Sequence, residues 1–259
     1  MNTTPAANDP GQPTPNAERA ITSVDLPTPS VALAIGAHPD DIEFGCGATL
    51  AKWAAAGCRI HHLVLTDGSK GTWNPDADIS ELIRSRRAEQ SEAARRLGGR
   101  DEVTFLDQVD GELVESVELR SRIARHIRTV RPDVVLGHDP WKRHRLHPDH
   151  RHAGFLTCDA IVAARDPHFF RDHGVTHHRP THLLLWEADE ANHAEDVGEF
   201  VETKIDALMA HASQFESTMK AVEPADLERF AVRIRTRLAD LGRRVDRPAA
   251  EIFTRISDL

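Results

Sequence analysis

Five short apolar runs, separated by segments of helical spacing, set the narrowest limit on what this chain folds into. The runs are Val31–Gly36 (VALAIG), Arg59–Thr66 (RIHHLVLT), Val103–Leu106, Pro132–Gly137 (PDVVLG) and His182–Trp186 (HLLLW). Between them, Cys46–Gly57, Ile79–Leu97, Val117–Val130 and Asp149–Ala164 read as helices, the second closed by Gly98-Gly99. Apolar strands alternating with helices form parallel sheets covered on both faces, through right-handed crossovers. The expectation is an α/β fold with a mostly parallel sheet and helices on both faces. Numbered along the chain, the runs should lie in the order 3-2-1-4-5 plus edge strands. Helices at Glu199–His211 and Pro224–Arg243 and a final edge strand at Glu251–Ile256 complete the reading. In that order runs one and four are neighbours, and their following helices leave to opposite faces. A crevice opens at their carboxyl ends.

Both sides of that crevice carry unusual chemistry. Ala37-His38-Pro39-Asp40-Asp41-Ile42-Glu43 follows the first run and places one imidazole and three carboxylates in seven residues. Carboxylates at this density repel one another unless a cation sits among them. His147-Pro148-Asp149-His150 follows the fourth run. A catalytic zinc site takes three protein ligands and leaves one position for water. The clusters offer His38, Asp40, Asp41, Glu43, His147, Asp149 and His150, enough for ligands, a general base and an oxyanion-stabilising group. Each cluster taken alone also reads as a helix cap, with Asp149 an N-cap. Two such clusters at neighbouring strand ends point instead to one metal site assembled from both.

Composition narrows the partners. The balance of 32 basic against 41 acidic residues gives a net charge of −9, which argues against nucleic acid or an anionic membrane surface. No apolar run approaches the roughly 18 residues of a membrane span. Cys46, Cys58 and Cys158 form no paired motif and read as buried residues of a reducing compartment. Residues 1–29 hold six of the fifteen prolines and read as a disordered tail before a single domain over 30–259. The tail lacks the basic start and apolar core of a signal peptide, so a cytoplasmic location is expected. Association into a homo-oligomer is left open. Gly45-Cys46-Gly47 followed by Asp67 offers a rival, dinucleotide-binding reading. Against it, Leu50 stands at the third glycine position, eight residues separate strand from glycine turn, and three acids would face the pyrophosphate.

The segments AHPDDIEFGCGATL (37–50) and HPDHR (147–151) resemble the two signature motifs of the PIG-L/LmbE-like family of zinc-dependent deacetylases. Arg86-x-x-Glu89, Asp110-Gly111 and Lys204–Gln214 are similar as well, and the resemblance covers roughly residues 31–215. It implies a Rossmann-like fold and removal of N-acyl groups from glucosamine-containing molecules. Carried over by position, it implies that His38, Asp41 and His150 bind one Zn2+ per chain, other divalent metals being alternatives. Asp40 would be the general base, and His147, as an imidazolium held by Asp149, would stabilise the oxyanion. Glu43 would stand behind the ligands or cap the first helix. Arg86 and Asp110 would sit at the rim and bind substrate, or form only a helix-surface ion pair. His211 on its helix would face the pocket or serve only a structural role, and Trp141 would stack on a sugar or pack within its loop. Lys142-Arg143-His144-Arg145 would steer an anionic group or be a solvated loop. The absence of tyrosine departs from family members that place one near the oxyanion, and it weakens assignment to the mycothiol-pathway branch. The expected substrate is a small amino-sugar or amide molecule. The alternatives are an amidase of a thiol conjugate and a non-catalytic metal-binding protein.

Overall fold

Val31–Gly36 is buried at every position, as a strand covered by helices on both faces must be. It is β2 in a computed structural model that describes residues 20–99 and 103–259. The other strands are β1 (Ser23–Val24), β3 (Arg59–Thr66), β4 (Val103–Gln108), β5 (Val134–His138), β6 (His182–Trp186), β7 (His193–Asp196) and β8 (Ala250–Ser257). The helices are α1 (Asp41–Ala55), α2 (Ile79–Arg96), α3 (Val117–Val130), α4 (Pro148–Arg165), α5 (Val201–Leu208) and α6 (Pro224–Arg243). Asp78 and Ser116 cap α2 and α3 by accepting the N–H groups of Glu81 and Leu119.

All eight strands form one sheet in the order β1-β7-β8-β6-β5-β2-β3-β4. The five strands expected from the sequence keep their relative order, but the full order differs by what lies beyond β6. β8, expected as an edge strand, runs antiparallel between β6 and β7. β7 (HAED) has neither an apolar run nor alternation to announce it, and β1 is only two residues long. The tail reading is corrected over residues 20–29, since Ser23–Val24 pair with β7 and Leu26 is buried. Leu26 N–H donates to the buried Glu195, which also accepts from Lys52 of α1. Residues 1–19 lie outside the described residues.

Side chains of β2 alternate between two cores, with the period of a strand. Leu33 and Ile35 pack with Ile123, Ile127, Leu156 and Ile161 of α3 and α4. Ala32 and Ala34 pack on the opposite face with Ile42, Leu50 and Trp53 of α1 and with Ala93 of α2. The helices after β2 and β5 therefore do leave to opposite faces. The two strands run parallel and adjacent, so the crevice lies where the sequence places it.

Candidate metal centre and active site

His38 follows β2, His138 ends β5, and His147, Asp149 and His150 open α4. Asp40 has a φ of 109°, a left-handed backbone that a non-glycine residue keeps only when its surroundings enforce it. Two side chains of α2 do so. Gln90 accepts Asp40 N–H at 2.9 Å, and Arg86 Nη2 donates to Pro39 O at 2.6 Å. Arg86 and Gln90 are four residues apart and share a helix face. The turn parts the two neighbouring acids. The Asp40 carboxylate lies 3.7 Å from Arg86, whereas Asp41 faces His138 and His150.

Three donors converge. His38 Nδ1 lies 3.3 Å from Asp41 Oδ2, His150 Nε2 lies 3.2 Å from Asp41 Oδ1, and the two ring nitrogens are 3.2 Å apart. Two of the three, His38 and Asp41, are held from behind. His38 Nε2 lies 3.1 Å from both Asp110 Oδ1 and Asp149 Oδ2, so it carries the proton and the Nδ1 lone pair faces Asp41 and His150. Asp149 also accepts the N–H groups of Gly111 and Leu113, which fixes the loop after β4. Trp186 Nε1–H donates to His138 Nδ1 at 3.1 Å, which leaves the proton on His138 Nε2, 3.2 Å from Asp41 Oδ2. Nitrogen and oxygen donors in this ratio suit zinc, and also other first-row divalent metals. Among the described residues three overlapping groups could hold a metal: His38/His147/His150, Asp41/His138/His150 and His38/Asp110/Asp149. The donors open onto a cavity of about 460 Å³ lined also by Asp40, His147 and Arg86.

The environment separates the acids electrostatically. Burial pushes Asp40 up to about 6, with Arg86 opposing and Asp41 reinforcing the shift. Asp41 is held well below the usual carboxylate range: burial would raise it, but His150 and His138 prevail. His38 is raised well above the ordinary imidazole value, because Asp110, Asp149 and Asp41 outweigh its burial.

The chain matches the PIG-L family, described as GlcNAc-PI de-N-acetylase, over residues 33–161. The diacetylchitobiose deacetylase of Thermococcus kodakarensis is 37% identical over 196 residues, 74% of this chain and 73% of the relative. The chain belongs to the PIG-L family. Among solved PIG-L-like structures, the N,N'-diacetylchitobiose deacetylase of Pyrococcus horikoshii, complexed with its inhibitor MPG, superimposes with a TM-score of 0.80 at 28% identity. The match covers 88% of this chain and 84% of that one. A 1D-myo-inositol 2-acetamido-2-deoxy-alpha-D-glucopyranoside deacetylase of Kineococcus radiotolerans is 31% identical over 170 residues, 54% of this chain and 46% of the relative.

Several expectations need correction within this PIG-L site. Asp149 braces His38, with both its oxygens engaged there and on the Gly111 and Leu113 N–H groups. His147 is pushed below the ordinary imidazole value, because burial, His38 and His150 outweigh the rise that Asp149 and Asp41 contribute. Arg86 and Asp110 are buried, which excludes a helix-surface ion pair and moves them from the rim into the wall. His211 lies beyond the end of α5, fully buried, and its Nε2 lies 3.3 Å from Glu43 Oε2. Glu43 also accepts from Gln90, so it stands behind the Asp40 turn. Trp141 is exposed and packs edge-on against Phe155. In the run Lys142–Arg145, Arg145 is buried and pairs with Glu187 at 2.9 Å.

The glycine turn is not a helix start, because α1 already begins at Asp41 and kinks at Cys46. The N–H groups of Ala48 and Thr49 beyond the kink donate to Glu251 of β8 at 3.2 and 2.8 Å. A pyrophosphate would need those donors, so the protein's own carboxylate displaces the dinucleotide reading. Gly45 is required by contact: a Cβ there would lie 2.5 Å from the Trp186 indole. His138, Gln90 and Trp186 were missed in the sequence. The available signal for His138 was its place as the first polar residue after the fourth run.

Proposed function

We propose that this protein is a metal-dependent N-deacetylase of amino-sugar derivatives, with one zinc ion per chain held by His38, Asp41 and His150. The observation that carries the reading is the convergence of those three donors beside a fourth group, Asp40, that faces the same cavity without joining them. Relatives named as deacetylases of diacetylchitobiose and of an inositol-linked acetamido sugar support the substrate class. Zinc, when bound, would supply Lewis acidity that brings water within reach of a carboxylate base near neutral pH. Asp40, near 6, accepts the proton of the attacking water and returns it to the departing amine. His147 is exposed at the cavity and presents a ring N–H to the acyl oxygen as charge develops there. Arg86 holds Pro39 O and keeps the Asp40 carboxylate aimed. Free thiols at Cys46, Cys58 and Cys158 suit a reducing, cytoplasmic setting. Among the described residues no helix is long and apolar enough to cross a membrane.

The test is amine release from N-acetylglucosamine and its glycosides, measured before chelation, after it, and after zinc is restored. Release that disappears and returns supports the assignment. Full release from rigorously metal-free protein, or none from any N-acetylated sugar with zinc present, defeats it.

A further inference from the structure

A second cavity, of about 260 Å³, adjoins the catalytic one, and Phe44, Glu187 and Arg237 line both. Its wall is one face of α6, where Ile234, Leu238 and Leu241 recur at helical spacing. That wall is apolar, so charge selection falls to the side chains around it.

The acids there are already engaged. Glu187 accepts from Arg145 at 2.9 Å, and Asp189 accepts Arg143 N–H at 2.6 Å. Glu251 takes Lys204 Nζ at 2.5 Å in addition to the Ala48 and Thr49 N–H groups. Arg237 differs: it is exposed at the junction of the cavities and makes no hydrogen bond or ion pair among the described residues. Lys142, on the same lining, reaches Glu187 only at 4.0 Å. The cavity thus offers an apolar helix face, acids whose oxygens are already engaged and one uncommitted planar cation. A guanidinium in that state matches a carboxylate or phosphate in two-point geometry.

We propose that this cavity is a subsite for the second part of the substrate, and that Arg237 receives an anionic group carried there. The proposal rests on the deacetylase reading and deepens it. The substrate is an N-acetylated amino sugar whose aglycone ends in a carboxylate or a phosphate. The reacting amide stays with Asp40 and the metal ligands, while the anion lies across the Phe44 junction. Because the anion is remote from the bond being broken, its recognition enters KM more than kcat.

Three N-acetylglucosaminides test this with zinc-loaded protein: a neutral methyl glycoside, a carboxylate-ended glycoside and a phosphate-ended glycoside of similar length. The wild-type protein is expected to favour an anionic glycoside by on the order of 10- to 100-fold in kcat/KM, the range of one charge-assisted hydrogen-bonded pair. Whichever anion is preferred identifies the source of the charge. Arg237→Met should collapse that ratio, mainly through KM, and Arg237→Lys should restore part of it. Arg237→Glu should turn the preference from the anionic glycosides to the neutral one. Equal turnover of neutral and anionic glycosides, unmoved by Arg237→Met, overturns the subsite and leaves the deacetylase reading standing. No amine from any of the three overturns both.

Discussion

Asp40 and Asp41 are identical in covalent chemistry and adjacent in the chain, yet their surroundings drive them apart. Asp40 is buried beside one guanidinium and lies near 6, whereas Asp41 is held low by two imidazoles. Groups pushed apart in this way take different chemical roles. Asp40→Asn keeps the shape and removes the proposed base. It is expected to lower kcat by on the order of 10²- to 10⁴-fold while the metal content, measured by atomic emission, stays unchanged. The Trp186 indole works one step further back, fixing the His138 proton that meets Asp41. Trp186→Phe retains the ring and deletes the N–H. The expected result is metal affinity weakened roughly 10-fold or more in competition with a chromophoric chelator, with the fold intact by circular dichroism. Unchanged affinity would reduce Trp186 to a packing residue.

At the scale of elements, α1 is two helical pieces joined at Cys46, and the second piece starts on a carboxylate from the opposite end of the chain. The Lys204–Glu251 pair that supplies it is buried on both sides. Lys204→Met would strand that carboxylate, and the expected loss is about 3–5 kcal/mol in urea unfolding. Pairing it with Glu251→Gln should recover part of the loss, because no unpaired charge then remains. These elements also mark where reading the sequence stops. Helices α2, α3 and α6 and the strands of the sheet centre were legible, because periodicity is a local property. The loops that carry the proposed metal ligands were legible, because a site in this fold is expected at the switch point. The kink was not, since its cause lies 203 residues away at Glu251. Nor was the pairing of Asp149 with His38, because a cluster shows which groups are near but not which way each side chain turns.

Across the whole molecule, stability should depend on pH through histidines that fold in the neutral form. Burial, reinforced by His61, pushes His126 of α3 down to about 4, and its Nε2 has no hydrogen-bond partner among the described residues. The folded state then binds fewer protons than the unfolded chain between the ordinary value near 6.5 and about 4. Stability should fall as pH drops through that window and level off below it, by up to about 3 kcal/mol from this one group. His126→Leu should flatten the acid limb of a denaturant-midpoint profile. A limb of unchanged slope would mean that another group carries it.

The place of β8 bears on how the molecule is made. It is the last of the eight strands to be synthesised, yet it lies between β6 and β7 in the sheet. The β2–β6 half can pair as it emerges, since those strands neighbour one another without it. β7, and β1 beyond it, have no route into the sheet until β8 arrives. Glu251, which completes α1 beside the proposed metal ligands, comes with the same strand. A nascent chain stalled before residue 250 would therefore carry both ligand clusters with the helix between them unfinished, and the closing of the sheet would be the event that readies the site.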